Sequence, residues 1–153
     1  MSDSGAKRIE RAPIVWVPWV TGPQPVGRLD HVLVSFTEFR ADRARTLPGV
    51  FRWGLRLRQG WFATEGAVGL LLWTQPTARR GGSLSVWRDE EALKRFVRLP
   101  LHAQIIRQFR DRVRVRSVSW TQREHEPAVL KQIALPVLST PPDRPLSPPP
   151  STP

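Results

Sequence analysis

The stretch GSLSVWRDEEALKRFVRLPLHAQIIRQFRDRVRVRSVSW (Gly82–Trp120) decides the fold, because two strand patterns in it flank two helical patterns. Alternating apolar residues predict a strand that ends at Trp87, and Asp89 is a typical N-cap for the helix that follows. Pro100 ends or kinks that helix. Beyond the proline, helical spacing places His102 on the apolar face of a second helical piece.

The segments on either side complete a β-α-β-β-α-β order. Alternation predicts a first strand within Arg28–Phe39, and helical spacing predicts a helix over Leu47–Gln59. The apolar run Ala67–Thr74 fits a buried second strand, and Ser83–Trp87 is the third. The fourth, Val113–Thr121, alternates irregularly, which predicts a bulge or a strand that is apolar on both faces. This order predicts an α+β, ferredoxin-like domain with four antiparallel strands and two helices on one face.

Composition divides the chain into three parts. Residues 1–12 are polar, charged and aperiodic, as in a disordered N-terminal arm. The predicted ferredoxin-like domain covers residues 13–125, and its first apolar segment, interrupted by Pro18, predicts an edge strand or a packed arm. Residues 126–153 are rich in proline, and their helical pattern is weak, so we predict a disordered C-terminal tail. Its PxxP spacing would also suit a proline-recognition partner.

Composition also excludes several classes of chemistry. The 153 residues include no cysteine, so disulfides and thiolate sites are absent, and the three histidines are too far apart to predict a zinc site. The one apolar run near the start is interrupted by Pro18, so we expect a cytoplasmic protein without a membrane span.

The net charge of +11 favours attraction to anionic partners. The arginines are scattered along the sequence, which is more typical of a solvated surface. The third strand lacks the basic and aromatic signature of an RNA-binding sheet, and the chain has no tyrosine. We therefore do not expect nucleic acid as a partner.

Two helices on one face would leave the other face of the sheet bare. The second and fourth predicted strands are apolar on much of both faces and carry Trp73 and Trp120. An exposed apolar sheet of this kind would associate with other surfaces. Packing two such sheets face to face in a two-fold dimer would cover both and enclose an apolar chamber, so we predict a homodimer.

The segments SLSVWRDEEALKRFV (83–97) and PLHAQIIRQFR (100–110) resemble the dimeric α/β-barrel superfamily that includes antibiotic-biosynthesis monooxygenases. Within it, they are most similar to spheroidene monooxygenase-like proteins and related uncharacterised families. The resemblance extends roughly over His31–Trp120, but the basic sequence after Asp111 departs from the acidic, aromatic ending of spheroidene monooxygenase. The resemblance implies a monooxygenase-like oxidoreductase that binds a small apolar, aromatic or planar ligand between sheet and helices.

His102 is the main candidate for chemistry. The resemblance implies that a histidine here ligates haem iron or polarises a bound substrate, so it is a candidate catalytic, cofactor-binding and metal-ligating residue. Haem and cofactor-independent chemistry are both open. An equally weighted alternative is a buried histidine that caps the backbone freed by Pro100 or holds a carbonyl group through a ring N–H.

Three tryptophans and one arginine are candidates for ligand binding. Trp73, Trp87 and Trp120 could form an aromatic wall, although tryptophan is also ordinary core and interface material. Arg98 could reach an anionic group such as a haem propionate, or simply complement a helix dipole. A non-catalytic interaction module with a basic surface and a proline-rich tail is the alternative function.

Overall fold

The computed structural model describes residues 12–150, so the arm predicted over residues 1–12 lies outside the described residues except for Ala12. In chain order the elements are β1 (Val15–Trp16), β2 (Val20–Thr21), β3 (Val32–Ala41), α1 (Leu47–Gln59), β4 (Ala67–Gln75), β5 (Arg80–Trp87), α2 (Glu90–Val97), α3 (Pro100–Phe109), β6 (Val113–Gln122) and α4 (Pro127–Leu138). Short 3-10 turns precede α1, precede β4 and connect β4 to β5.

The strands form one antiparallel sheet in the order β1-β4-β5-β3-β6, with β2 also paired to β4. Its four long strands therefore have the order expected of a ferredoxin-like unit, which confirms the predicted α+β fold. The two short strands flank Pro18 and extend the β4 edge, where the N–H of Val17 donates to the carbonyl of Leu72 at 2.9 Å. The proline separates these strands because it cannot donate to a ladder.

Local sequence signals account for the helix boundaries. α1 spans Leu47–Gln59 as predicted, with Pro48 in its first turn. The side chain of Asp89 accepts a hydrogen bond from the N–H of Ala92 at 2.9 Å, and this bond, followed by one from Arg88, lowers the pKa of Asp89. Pro100 ends α2 and occupies the first turn of α3.

The fourth strand contains no bulge, so the other predicted form holds: apolar residues lie on both of its faces, with Val113 and Val115 on the helix-facing side and Val118 and Trp120 on the opposite side. β6 pairs with β3 without a register shift from Val113 to Gln122. The register shift lies in β4 instead, between Ala67 and Gly69. The apparent slip in the sequence pattern of β6 arises because serines occupy positions on its helix-facing side, where apolar residues would be expected.

The largest departure from the sequence prediction is α4. Residues 126–153 were expected to form a disordered tail, but Pro127–Leu138 is a helix packed on the sheet face opposite α1, α2 and α3. Its sequence is apolar on most sides, so it lacks the polar stripe that marks an amphipathic helix. It buries Leu130, Ala134, Val137 and Leu138. Residues 139–150 form no regular helix or strand, as their prolines predict.

A buried charge cluster, the C-terminal clamp (Glu38, Arg80 and Arg116), fastens the end of α4. The carboxylate of Glu38 lies 3.0 Å from Arg80 and accepts two bonds of 2.9 Å from Arg116. Arg80 donates to the carbonyl of Leu138 at 2.9 Å, and Arg116 donates to the carbonyls of Pro141 and Arg144. The clamp therefore joins the sheet to the chain that follows α4.

This covering removes the physical ground for the predicted homodimer. The apolar residues Val34, Phe36, Leu84 and Val86 are fully buried beneath the chain's own α4. One chain thus supplies the cover that the sequence argument assigned to a second copy. The homodimer itself is untested, and this covering leads us to expect a monomer instead.

Candidate functional site

A cavity of about 630 Å³ lies between the helix-facing side of the sheet and α1, α2 and α3. Its walls are mostly apolar and aromatic, and they include Val50, Leu57, Trp61, Leu72, Phe96, Ile105 and Phe109. Among the residues that line it, none is acidic, and His102 and Arg110 are the titratable ones. A largely apolar cavity with a few polar groups is typical of a small-molecule site.

The sheet gives this cavity a polar surface, the hydroxyl floor. It consists of two rows across three strands, Ser119–Ser35–Ser85 and Ser117–Thr37–Ser83. Residues paired in register project from the same face of a sheet, so the six hydroxyls lie side by side.

Most of these hydroxyls are available to a ligand. The hydroxyl of Ser85 accepts a bond from the indole N–H of Trp87 at 2.9 Å and donates to the carbonyl of Ser35 at 3.4 Å. Within residues 12–150, the other five side-chain hydroxyls form no hydrogen bond. Each can donate and accept, so the floor suits a ligand that carries oxygen atoms.

His102 lies in the first turn of α3 and lines the cavity opposite the floor. Burial lowers the pKa of its imidazole, and a hydrogen bond to the carbonyl of Val97 opposes that shift only in part. The ring meets Phe96 edge-on, with 5.2 Å between centroids. At pH 7 the imidazole is therefore neutral. Its surroundings are compatible with both alternatives that the sequence left open. The ring bonds the carbonyl of Val97 at the end of α2, as a structural histidine would, and it also faces the cavity, as a functional one would.

An aromatic cluster forms one wall. Trp61, Trp87 and Phe96 lie with ring centroids 5.0 to 5.4 Å apart. Trp61 and Phe96 line the cavity, whereas Trp87 is fully buried behind them. Trp87 therefore supports the predicted wall without forming its surface. The sequence offered no signal for Trp61 beyond an aromatic residue directly after the glycine that ends α1.

The other predicted ligand-binding residues lie elsewhere. Trp73 borders the cavity, but its ring stacks on Phe36 in the core beneath α4, with centroids 5.5 Å apart. Trp120 packs against the same core, and its indole N–H donates to Gln122 at 2.6 Å. Arg98 and Trp120 border a surface groove of about 450 Å³ that adjoins the cavity and shares Leu93, Val97 and Ser119 with it. Of the predicted site residues, His102 and Trp73 thus line the cavity, whereas Trp87, Trp120 and Arg98 do not.

The mouth of the cavity lies along β6, the edge strand that pairs only with β3. Val97, Ile106 and Val115 line the cavity and are also 47%, 46% and 50% exposed. Side chains that both line a cavity and contact solvent mark its opening. The cavity therefore opens to solvent between α3 and β6.

Residues 12–150 contain neither a metal-binding cluster nor a membrane-spanning helix. No group of three or more histidine or acidic side chains there could hold a metal ion. No helix in that range has the length and apolar character needed to cross a bilayer.

The sheet order, the helices on one face and the cavity between them define the class. The chain has a ferredoxin-like fold, which it shares with solved proteins related to antibiotic biosynthesis monooxygenases, so the predicted fold is confirmed. The closer resemblance to spheroidene monooxygenase-like proteins stays a prediction.

Three solved structures illustrate the similarity. One is an uncharacterised ferredoxin-fold protein of Listeria monocytogenes related to antibiotic biosynthesis monooxygenases (14% identity, TM-score 0.55, 74% of this chain and 66% of that one). Another is a heme-degrading enzyme of the same species (14% identity, TM-score 0.51, 70% of this chain and 70% of that one). The third is a monooxygenase-like protein of Listeria innocua (12% identity, TM-score 0.51, 74% of this chain and 65% of that one). At these identities the likeness shows the fold alone. No protein-family model and no curated protein matches the chain.

Proposed function

We propose that the protein binds a small, neutral, largely apolar ligand that carries oxygen atoms, and oxidises it as a monooxygenase-like enzyme. The hydroxyl floor, which faces apolar walls and a neutral His102, is the observation that carries the proposal. A fold of this kind hosts many functions, so the argument rests on the site.

The cavity lining decides the class of ligand. A cationic ligand would find no carboxylate among the lining residues, and an anionic ligand would find only Arg110, which is exposed at the mouth. Aliphatic and aromatic walls favour a hydrophobic body. The five unpaired hydroxyls would be left without partners unless the ligand supplied oxygen atoms or water filled the floor.

His102 supplies the proton-accepting group. A neutral imidazole within reach of the ligand can accept a proton from an acidic C–H or O–H group. The hydroxyls of the floor then donate hydrogen bonds to the ligand oxygen on which negative charge develops. In the oxidation, the ligand itself supplies two electrons and two protons, so that one atom of O2 enters it and the other leaves as water, as when a phenol becomes a quinone.

Replacing His102 by Gln is expected to reduce ligand-dependent O2 consumption by about 10²- to 10⁴-fold with little change in ligand affinity, because general-base catalysis is lost. In the wild type, the rate should fall only when the pH drops through the lowered pKa of His102, below its ordinary value of 6.5. The variant should lack this acidic limb. An unchanged rate or pH profile in His102→Gln would exclude the histidine as the base.

The floor is tested by the double variant Thr37→Val/Ser83→Ala, which removes two facing hydroxyls and retains most of the packing. Each lost hydrogen bond is expected to cost about 0.5–1.5 kcal/mol, so affinity for 1-naphthol should fall by about 5- to 100-fold. Quenching of tryptophan fluorescence, to which Trp61 in the wall contributes, measures the affinity. Naphthalene, which has no oxygen, should bind both proteins equally, and the exposed variant Thr77→Ala is the control. Equal affinity of all variants for 1-naphthol would contradict the proposed role of the floor.

Haem binding is a second candidate, which one observation favours. His102 is neutral and anchored through one ring nitrogen to Val97, and within the described residues the other ring nitrogen has no hydrogen bond. This suits axial ligation. The rest of the site fits haem poorly, because Arg98 lies outside the cavity, in the adjoining groove, and hydroxyls cover the surface that a macrocycle would contact.

The visible absorption spectrum separates these candidates. Purified protein with added haem is expected to give the same spectrum for wild type and His102→Ala, without a sharp Soret band. A sharp Soret band that is lost or shifted in His102→Ala would replace the first candidate with a haem protein.

The alternative of a non-catalytic module that uses its proline-rich tail gains no support. The carbonyls of Pro141 and Arg144 are bonded to Arg116 of the same chain, so part of the PxxP segment is already engaged.

A further inference from the structure

Folding gathers arginines that are scattered along the sequence. Where β3 ends and β6 begins, the segments 42–46, 79 and 107–114 meet. The N–H of Asp42 donates to the carbonyl of Arg112 at 3.0 Å, and the N–H of Ala41 donates to the carbonyl of Arg79 at 2.9 Å. We call this surface the basic end, and its exposed arginines are Arg43, Arg45, Arg79, Arg107, Arg110, Arg112 and Arg114.

The positive charge of the basic end is largely uncompensated. Against seven arginines, these segments hold two aspartates, Asp42 and Asp111, and the adjacent tail adds one charge of each sign, Asp143 and Arg144. None of the seven arginines forms an ion pair within residues 12–150. Burial is the main cause that lowers the pKa of the neighbouring Arg40, and several nearby arginines lower it further.

Seven of the eleven acidic residues within residues 12–150 lie at the other end of the molecule. They lie near the starts of β3 and β4 and near the ends of β5 and β6, and they are Asp30, Glu65, Asp89, Glu90, Glu91, Glu124 and Glu126. Basic residues in the same segments, among them Arg28, Arg88, Arg95 and Arg123, largely offset these carboxylates. The net positive charge is therefore concentrated at the basic end, which would orient the chain on an anionic surface.

The mouth of the cavity adjoins the basic end. Arg110 belongs to both, and Ile106 and Val115 on either side of it are about half exposed. Apolar side chains surrounded by arginines are typical of surfaces that contact the headgroup region of a bilayer.

We propose that the basic end docks on a membrane surface containing anionic lipids, so that the cavity mouth faces the bilayer and the apolar ligand enters from it. Docking rests on the charges alone, whereas ligand entry rests also on the proposed function. Single-stranded nucleic acid is the competing polyanion, but it requires aromatic stacking platforms. The one aromatic among the exposed large apolar side chains of the described residues is Phe62, which follows α1 at the end opposite the basic end.

Vesicle co-sedimentation tests the docking. Full-length protein is expected to sediment with vesicles of phosphatidylcholine and phosphatidylglycerol, to remain in solution with phosphatidylcholine alone, and to be released by salt. Because each basic residue near an anionic membrane contributes about fivefold to binding, Arg112→Glu/Arg114→Glu should weaken it by about 25-fold or more. The matched control Arg28→Glu/Arg123→Glu makes the same charge change at the other end and should weaken it by less than about threefold.

Each opposite outcome overturns the proposal. Equal loss in both double variants would mean that net charge, and not the basic end, drives binding. Equal sedimentation with both kinds of vesicle would exclude a requirement for anionic lipid. If a single-stranded RNA oligonucleotide displaced the protein from the vesicles while the RNA phosphate was less concentrated than the lipid phosphate, that result would assign the surface to nucleic acid. Thermal unfolding of each variant checks that it is folded.

Two further readouts separate docking from the function proposed above. Thr37→Val/Ser83→Ala should sediment like wild type, since neither residue lies at the basic end. Conversely, Arg112→Glu/Arg114→Glu should bind 1-naphthol from solution with unchanged affinity. If the wild-type protein does not sediment with anionic vesicles but still binds 1-naphthol, the docking proposal is wrong and the proposed function is unaffected.

Discussion

A chain that ends at Glu126 is expected to lose most of its stability, and the part that remains soluble is expected to self-associate. The truncation removes α4, in which Leu130, Val137 and Leu138 are almost fully buried. Burying such side chains contributes about 1.5–3 kcal/mol each, whereas a whole domain is stable by about 5–15 kcal/mol. Removing the helix also bares Val34, Phe36 and their neighbours in the sheet.

Light scattering coupled to gel filtration gives the mass of each species, and thermal unfolding gives its stability. The full-length chain is expected to be a monomer. A chain that ends at Leu146 is the control, because it keeps α4, the clamp and the one tail residue that packs on this core. Leu130→Ala provides a milder variant that should fold, with a loss of about 2–5 kcal/mol. The inference that α4 covers the sheet would be contradicted if the full-length chain were a dimer and the chain that ends at Glu126 had the same oligomeric state and the same stability.

Replacing Glu38 by Gln is expected to reduce the free energy of unfolding by about 3–5 kcal/mol, because it leaves buried cations without their counter-charge. Glu38 is 2% exposed, and its partners Arg80 and Arg116 are 0% and 16% exposed. Burial lowers the pKa of Arg80 to about 10, and the neighbouring carboxylate of Glu38 opposes this shift. Arg80 is therefore still cationic at pH 7, where the variant would bury two positive charges beside a neutral amide.

Denaturant unfolding at pH 7 measures this loss. The matched control is Glu90→Gln, which removes an exposed carboxylate that lies 3.5 Å from Lys94 on α2. An exposed pair at this spacing contributes only about 0.3–0.5 kcal/mol. Amide hydrogen exchange should also become faster in residues 139–146 of Glu38→Gln, since Arg116 would lose its anchor. A loss as small as that of the control would mean that the clamp contributes little to stability.

Features with local causes could be predicted from the sequence. The bounds of α1, the cap at Asp89 and the break at Pro100 depend on residues within one or two turns, and the structure places all three as expected. The order of strands and helices follows from such local signals. The ferredoxin-like fold could therefore be recognised.

Features that depend on distant residues could not be predicted in this way. The hydroxyl floor exists because Ser35, Ser85 and Ser119 share a row, and that row is set by the pairing of three strands far apart in sequence. The faces of Trp73 and Leu72 depend on the register shift at the start of β4. α4 was missed because periodicity detects amphipathic helices, and this helix is apolar on most sides.

The connection between β6 and α4 has a thermodynamic consequence. Only residues 123–126 separate the sheet edge from the helix that covers it. A cover supplied by a second molecule is lost on dilution, whereas a tethered one acts at a constant effective concentration. The melting temperature of this protein should therefore be independent of its concentration, and its cavity should keep its shape at the low copy numbers found in a cell.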